Sequence, residues 1–256
     1  MNSYASLAGF TDRSPGTGLR AVPHPRTRIV ETPARALLEH KIVIDGAAPA
    51  LIDAVKTLRT RVLQRMRENG WRTLAVVSPG PAEGRTLVAA NLAVSIAAQF
   101  EQTALLVDAD LLNPSIDRVF GVPSSPGLAD ILAHGVPVHA TLSNPGIDRM
   151  VVMPAGGPVL RSAEWLGSIR MAGLLAELRN RYDDRIVIID LPPLLGAADA
   201  LAFLPLADAV LMVVEDNRSV RDDILVAQGM LDRCNLIGMV LNKSFEGTGR
   251  MRTRRI

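Results

Sequence analysis

Residues 76–91 read VVSPGPAEGRTLVAAN. A short apolar run (Leu74, Ala75, Val76, Val77) enters a Pro/Gly-rich turn, passes Gly84-Arg85-Thr86 and continues into helix-forming residues. Strand, tight loop and helix N-terminus in that order make a phosphate-binding loop. The loop's backbone N–H groups and the amides of the first helical turn can face a single anion. One position departs from the usual pattern: Arg85 stands where such loops carry Lys.

On either side of the loop, strands and helices alternate. Near-continuous apolar runs predict strands at 73–78, 104–108, 149–153, 185–190, 208–214 and 236–241. Helices are expected at about 86–99, 127–134, 163–181, 197–204 and 218–232. Leu51, Ile52, Val55, Leu58, Val62, Leu63 and Met66 recur at helical spacing over 50–67, and Asn69-Gly70 ends that run. Strands such as IVIID and AVLMVV are apolar throughout, as they are when helices cover both faces of a parallel sheet. The expected fold class is therefore α/β, a doubly wound, mostly parallel sheet with helices on both faces. Residues 1–47 read as a disordered or weakly ordered basic lead, with a short helix near Ala34–His40. Residues 48–244 read as the nucleotide-binding domain, and 245–256 as a frayed basic tail.

Three carboxylates fall at strand ends. Asp108 and Asp110 follow the run LLV, and Asp190 closes IVIID. Ligands of open parallel sheets sit beyond the carboxyl ends of the strands. Carboxylates there, beside a phosphate loop, are placed to hold Mg2+ directly or through water, and Thr86 adds the hydroxyl such loops give the metal.

The remaining composition narrows the partners. The 256 residues are 48% hydrophobic, enough for one sizeable core. Cys234 is the single cysteine, so no intramolecular disulfide can form. No apolar run reaches the ~18 residues that a membrane span needs. The first residues show no charged region followed by an apolar stretch, so a cytoplasmic location is expected. The net charge of +2 is unevenly spread. Arg13, Arg20, Arg26 and Arg28 outweigh Asp12 near the start, and Lys243, Arg250, Arg252, Arg254 and Arg255 outweigh Glu246 at the end. The body between is mildly acidic, which argues against nucleic-acid binding. His24, His40, His134 and His139 show no metal spacing, and the nine methionines are scattered as core filler.

These segments together resemble the bacterial tyrosine kinases of capsule and exopolysaccharide loci, a branch of the MinD/ParA-like deviant P-loop ATPases. The resemblance covers about residues 50–244. It rests on Leu58-Arg59-Thr60, SPGPAEGRTLVAANLAVSIA, LLVDADLLNPSIDRVFG with GLADIL, MPAG, AEWLGS, RYDDRIVIIDLPPLL and VLNK. The RYDDRIVIIDLPPLL segment is similar to the kinases beside exosortase-linked exopolysaccharide genes. The resemblance implies ATP and Mg2+ as cofactors. Amides from Pro81 (which itself gives none) to Thr86 would cradle the phosphates, so Ala82, Glu83, Gly84, Arg85, Thr86 and Leu87 form the nucleotide set, with Asn242 at the adenine edge. Thr86 and Asp190 would hold the metal, Asp108 would support it or the attacking group, and Asp110 would help to activate the acceptor hydroxyl. Arg85 would act in phosphoryl transfer.

The family also implies a membrane-bound chain-length or co-polymerase partner, peripheral attachment to the inner membrane through it, and a homo-oligomer. Asp53, Lys56 and Arg59, in the 50–67 helix, parallel the family's subunit-docking Glu-x-x-Arg-x-x-Arg pattern. Three departures bear on activity. Arg85 replaces the loop Lys, and Leu111-Leu112-Asn113 stands where arginines are usual. Only Tyr4 and Tyr182 are present, so the tyrosine tail that receives phosphate in the family is missing; Tyr182 reads as structural. A non-catalytic scaffold and a MinD/ParA-type positioning ATPase are the alternatives. The latter proteins carry an extra lysine four residues before the last loop glycine, where this chain has Gly80.

Overall fold

The computed structural model describes residues 27–157 and 159–244. Residues 1–26, with Tyr4, and the tail 245–256 lie outside the described residues. In chain order the elements are β1 (Arg28–Ile29), α1 (Ala34–Glu39), α2 (Pro49–Asn69), β2 (Thr73–Val77), α3 (Arg85–Ala97), β3 (Thr103–Asp108), α4 (Ile116–Phe120), α5 (Leu128–His134), α6 (Val138–Thr141), β4 (Ser143–Asn144) and β5 (Met150–Met153). Then come α7 (Ser162–Leu166), α8 (Ile169–Asn180), β6 (Arg185–Asp190), α9 (Asp199–Phe203), a 3-10 turn (Leu204–Leu206), β7 (Ala209–Glu215), α10 (Arg221–Met230) and β8 (Leu236–Asn242).

Among the described residues the strands form one eight-stranded sheet in the order β1-β4-β5-β3-β6-β2-β7-β8. All pairs are parallel except β4 with β5. The doubly wound α/β fold expected from the sequence is the fold observed. Successive residues of β2 point to opposite faces. Leu74 and Val76 pack with Val62, Leu63 and Met66 of α2 and Leu92 and Ile96 of α3. Ala75 and Val77 pack with Leu128 of α5, Leu174 and Leu175 of α8 and Phe203 of α9. Both faces are dry, so these strands are apolar without alternation.

Two expectations about local structure change. The run 163–181 is two helices, α7 and α8, separated at Gly167-Ser168. There the hydroxyl of Ser168 accepts from the amide of Met171, the N-cap arrangement that starts a new helix. The lead joins the body from Thr27 onward, so the weak order expected to residue 47 does not describe residues 27–47. β1 pairs with β4, Ile42 is fully buried and Leu37 nearly so. Asn91 of α3 makes the attachment: its Oδ1 accepts from the amide of Val43 at 2.7 Å and its Nδ2 donates to the carbonyl of Lys41 at 3.1 Å. The short helix near Ala34 is present as α1, and α2 ends at Gly70 in the left-handed conformation (φ +67°).

Candidate functional site

Register sets the site. Because β6 lies between β2 and β3, Asp190 pairs in register with Val76 on one side and with Asp108 on the other. The three carboxyl ends therefore open at one level, and the loop after β2 closes over them. Ala82 (φ +61°) and Gly84 (φ +88°) are both left-handed, which turns the chain sharply into α3. The first helical bond runs from the amide of Val88 to the carbonyl of Gly84. The amides of Arg85, Thr86 and Leu87 thus belong to the open first turn of α3, the part of a helix suited to an anion.

Arg85 does not extend along the loop. Its guanidinium turns into the strand ends and is buried, with 8% of the residue exposed. Nε donates to Oδ1 of Asp190 at 3.0 Å, Nη2 to Oδ2 of Asp110 at 2.8 Å and Nη1 to the hydroxyl of Ser78 at 3.2 Å. Thr86 Oγ1 donates to the other oxygen of Asp190 at 2.6 Å. Asp110 Oδ1 accepts from the amide of Asn113. Asp108 accepts from the amides of Asp110, Ser115 and Ile116. Burial, and then the neighbouring Asp190, push the Asp108 carboxyl up to about 7 despite those amides. Burial also raises Asp190, against the opposing pull of Arg85 and Thr86.

The sequence-predicted metal set is thus brought together, but a cation already lies within it. Thr86 and Asp190 are hard oxygen donors of the kind Mg2+ takes. In this arrangement both oxygens of Asp190 and one of Asp110 are spent on Arg85 and Thr86, and Asp108 is turned to three amides. Among the described residues no group of three acidic, His or Cys side chains is arranged to hold a metal ion. The residues as placed do not fit Mg2+.

Asn242, implied at the adenine edge, lies against the phosphate loop. Its Nδ2 donates to the carbonyl of Glu83 at 2.8 Å and so clamps the loop. Sequence reasoning missed the neighbours that share this task. Lys243 Nζ donates to the carbonyl of Ala82 at 2.8 Å and to Glu215 at 2.9 Å. Ser219 donates to Glu83 Oε1 at 2.6 Å and accepts from the amide of Glu215. The Lys of VLNK was the one signal in the sequence, and it drew no role there. Glu83 contributes through its carbonyl and a buried carboxylate, and Leu87 lies partly buried against the core below α3.

Away from the loop, Asp53 and Lys56 are exposed on α2, whereas Arg59 turns inward and donates to the carbonyl of Ser95 at 3.1 Å. Tyr182 is half-buried with the Arg185 guanidinium 3.9 Å over its ring, in keeping with a structural residue.

The chain has relatives among known proteins. No protein-family model matches the chain. The succinoglycan biosynthesis transport protein ExoP of Rhizobium meliloti is 32% identical over 211 residues, 80% of this chain and 26% of its own length. The tyrosine-protein kinase YwqD of Bacillus subtilis is 29% identical over 189 residues, 73% of this chain and 78% of its own. Among solved structures the kinase domain of VpsO superposes with a TM-score of 0.69 at 28% identity, covering 77% of this chain and 96% of that domain. The chain belongs to the bacterial tyrosine-kinase family of capsule and exopolysaccharide systems. It spans about a quarter of ExoP and most of the shorter YwqD. The phosphate loop of this chain thus carries an arginine where such loops have lysine, and that arginine is paired to Asp110 and Asp190.

Proposed function

We propose that this chain is an ATP-binding regulator of exopolysaccharide or capsule assembly in which phosphoryl transfer is weakened relative to its kinase relatives. The observation that carries this reading is the Arg85 guanidinium shared between Asp190 and Asp110. The loop amides remain available for the phosphates, so nucleotide binding survives. The charge that would bridge the outer phosphates is instead committed to carboxylates. Lys is a compact point charge; Arg is a planar fork that matches two carboxylates at once.

Asp110 as an activator of an acceptor hydroxyl is weakened for the same reason. Both its oxygens are engaged, one by Arg85 and one by the Asn113 amide. The tyrosines of the 256 residues are Tyr4 and Tyr182, neither of them in 245–256, and the phosphate acceptor we propose lies on another chain. The partner we propose is a membrane-bound polysaccharide co-polymerase, which would also hold the chain at the inner membrane. Among the described residues no helix is long and apolar enough to cross a membrane. Self-assembly through the exposed Asp53 and Lys56 face of α2 completes the proposal. Arg59, held by Ser95, would support that face from inside.

Calorimetry with ATP and ADP, followed by mass spectrometry after incubation with ATP and Mg2+, tests the reading. Nucleotide binding with little or no phosphotyrosine is the expected result. Absence of binding, or efficient phosphorylation of Tyr4 or Tyr182 in the isolated chain, would overturn it.

A further inference from the structure

We infer that Arg85 is the resident counter-ion of Asp110 and Asp190 and that it keeps divalent cations out of the cluster these two form with Asp108 in the nucleotide-free protein. The site concerned is the one proposed to bind nucleotide, but the inference rests on side-chain geometry and holds whether or not phosphate is transferred.

Asp108, Asp110 and Asp190 are all buried, with 0%, 4% and 0% of each residue exposed. Three carboxylates so close together and so dry require a compensating cation or protons. In a phosphate-loop protein Mg2+ and the loop lysine supply positive charge at this place. Here the guanidinium does so from within. Its three donating nitrogens each have a different acceptor: Asp190 through Nε, Ser78 through Nη1 and Asp110 through Nη2. Ser78 is itself held, its hydroxyl donating to the carbonyl of Gly80 at 2.7 Å, so the third side of the fork is fixed by the loop. Thr86 takes the last Asp190 oxygen. A divalent cation entering this cluster would have to displace a charge-assisted pair that is already dehydrated. Mg2+ in particular gives up its own water reluctantly.

The arrangement has a converse. Removal of the guanidinium should create a divalent-cation site, because the oxygens that Arg85 holds are then left unpaired and still buried. A charge-removed variant should be less stable in chelator and should regain stability when a divalent cation is added.

The experiment uses the full chain without nucleotide. Free Mn2+ is followed by electron paramagnetic resonance during titration of the parent, Arg85→Met and Arg85→Lys. Thermal unfolding is recorded in chelator, in Mg2+ and in NaCl of equal ionic strength. The expected result is Mn2+ affinity at least about tenfold tighter for Arg85→Met than for the parent. Adding Asp190→Asn to Arg85→Met should remove that gain. In chelator Arg85→Met should melt lower than the parent by about 6 °C or more, with Mg2+ recovering part of the loss and NaCl none of it. Should Arg85→Met not fold, Arg85→Lys decides. A gain over the parent of about threefold or more supports the inference, and no gain overturns it. A parent that binds one Mn2+ as tightly as the variants, in a manner abolished by Asp190→Asn, overturns it outright. A parent that binds ADP and also binds Mn2+ alone would refute the counter-ion role and leave the proposed function standing. A parent that binds neither would do the reverse.

Discussion

The side-chain amide of Asn242 donates to the carbonyl of Glu83 at 2.8 Å and fastens the end of β8 to the middle of the phosphate loop. Between them lies Gly84, at φ +88°, where an added Cβ would collide with that same amide nitrogen. Gly84→Ala should therefore suffer twice, from left-handed backbone strain and from loss of the clamp. The strain alone costs on the order of 1–2 kcal/mol. Nucleotide affinity by calorimetry and Tm should both fall. Combining Gly84→Ala with Asn242→Ala should recover only the part due to the collision.

Arg85→Lys is expected to raise ATP turnover by about tenfold, if ~1.4 kcal/mol of transition-state stabilisation returns with a point charge that reaches the outer phosphates. Steady-state hydrolysis and phosphotransfer to an added tyrosine peptide measure it. Equal turnover in both forms would place the limiting defect elsewhere, with the Leu111-Leu112-Asn113 segment next in line.

Asp108 gives the fold a pH dependence whose sign is fixed. Its carboxyl holds a proton to about 7 in the folded state, through burial and then Asp190, whereas an exposed aspartate releases it near 3.8. Asp190 shifts in the same direction. Arg85 and the amides of Asp110, Ser115 and Ile116 oppose these shifts without reversing them. The folded state therefore binds more protons than the unfolded chain across this window. The contribution is fully present below the ordinary aspartate value and is lost as pH rises through about 7. Urea midpoints of the parent should fall between about pH 5 and pH 8, and Asp108→Asn should flatten that fall.

Ile42→Ala tests the attachment of the lead. The side chain is fully buried among Leu37, Met66 and the apolar face of α3. A loss of about 2–4 kcal/mol is expected by chemical denaturation, from the missing transfer energy and the cavity together. A change below about 0.5 kcal/mol would mean that residues 27–47 contribute nothing to the core.

The sheet was largely legible because its central strands β2, β3, β6 and β7 are buried on both faces and read as nearly unbroken apolar runs. The strand bounds expected from the sequence fall within about a residue of those observed. β1, β4, α4 and α6 were not legible. Each is two to five residues long, too short for a period, and each is held by contacts distant in sequence, such as Arg28 with Ser143. The order of residues 27–47 was not legible because their composition is that of a linker, whereas they are held by distant partners: β1 by β4, and the backbone of Lys41 and Val43 by Asn91, a polar residue in an apolar helix about 50 residues away. At the site, the loop and all three carboxylates were readable from order alone. The direction of the Arg85 side chain was not. A one-letter change from Lys to Arg conserves charge in the sequence, and only register shows that two carboxylates lie within the reach of its fork.

Lys243 adopts a left-handed backbone (φ +57°) that swings its ammonium onto Ala82, and Ser244 is the last described residue after it. Among the described residues, Asn242 and Lys243 thus grip the phosphate loop directly from the end of β8. Tension on this end is transmitted to the loop through two hydrogen bonds. A purification tag or fusion partner joined there would be an uncontrolled variable in any nucleotide measurement. By the same route, a dye on Ser244→Cys, with Cys234 replaced by serine, would turn this position into an optical gauge of whether the loop is filled.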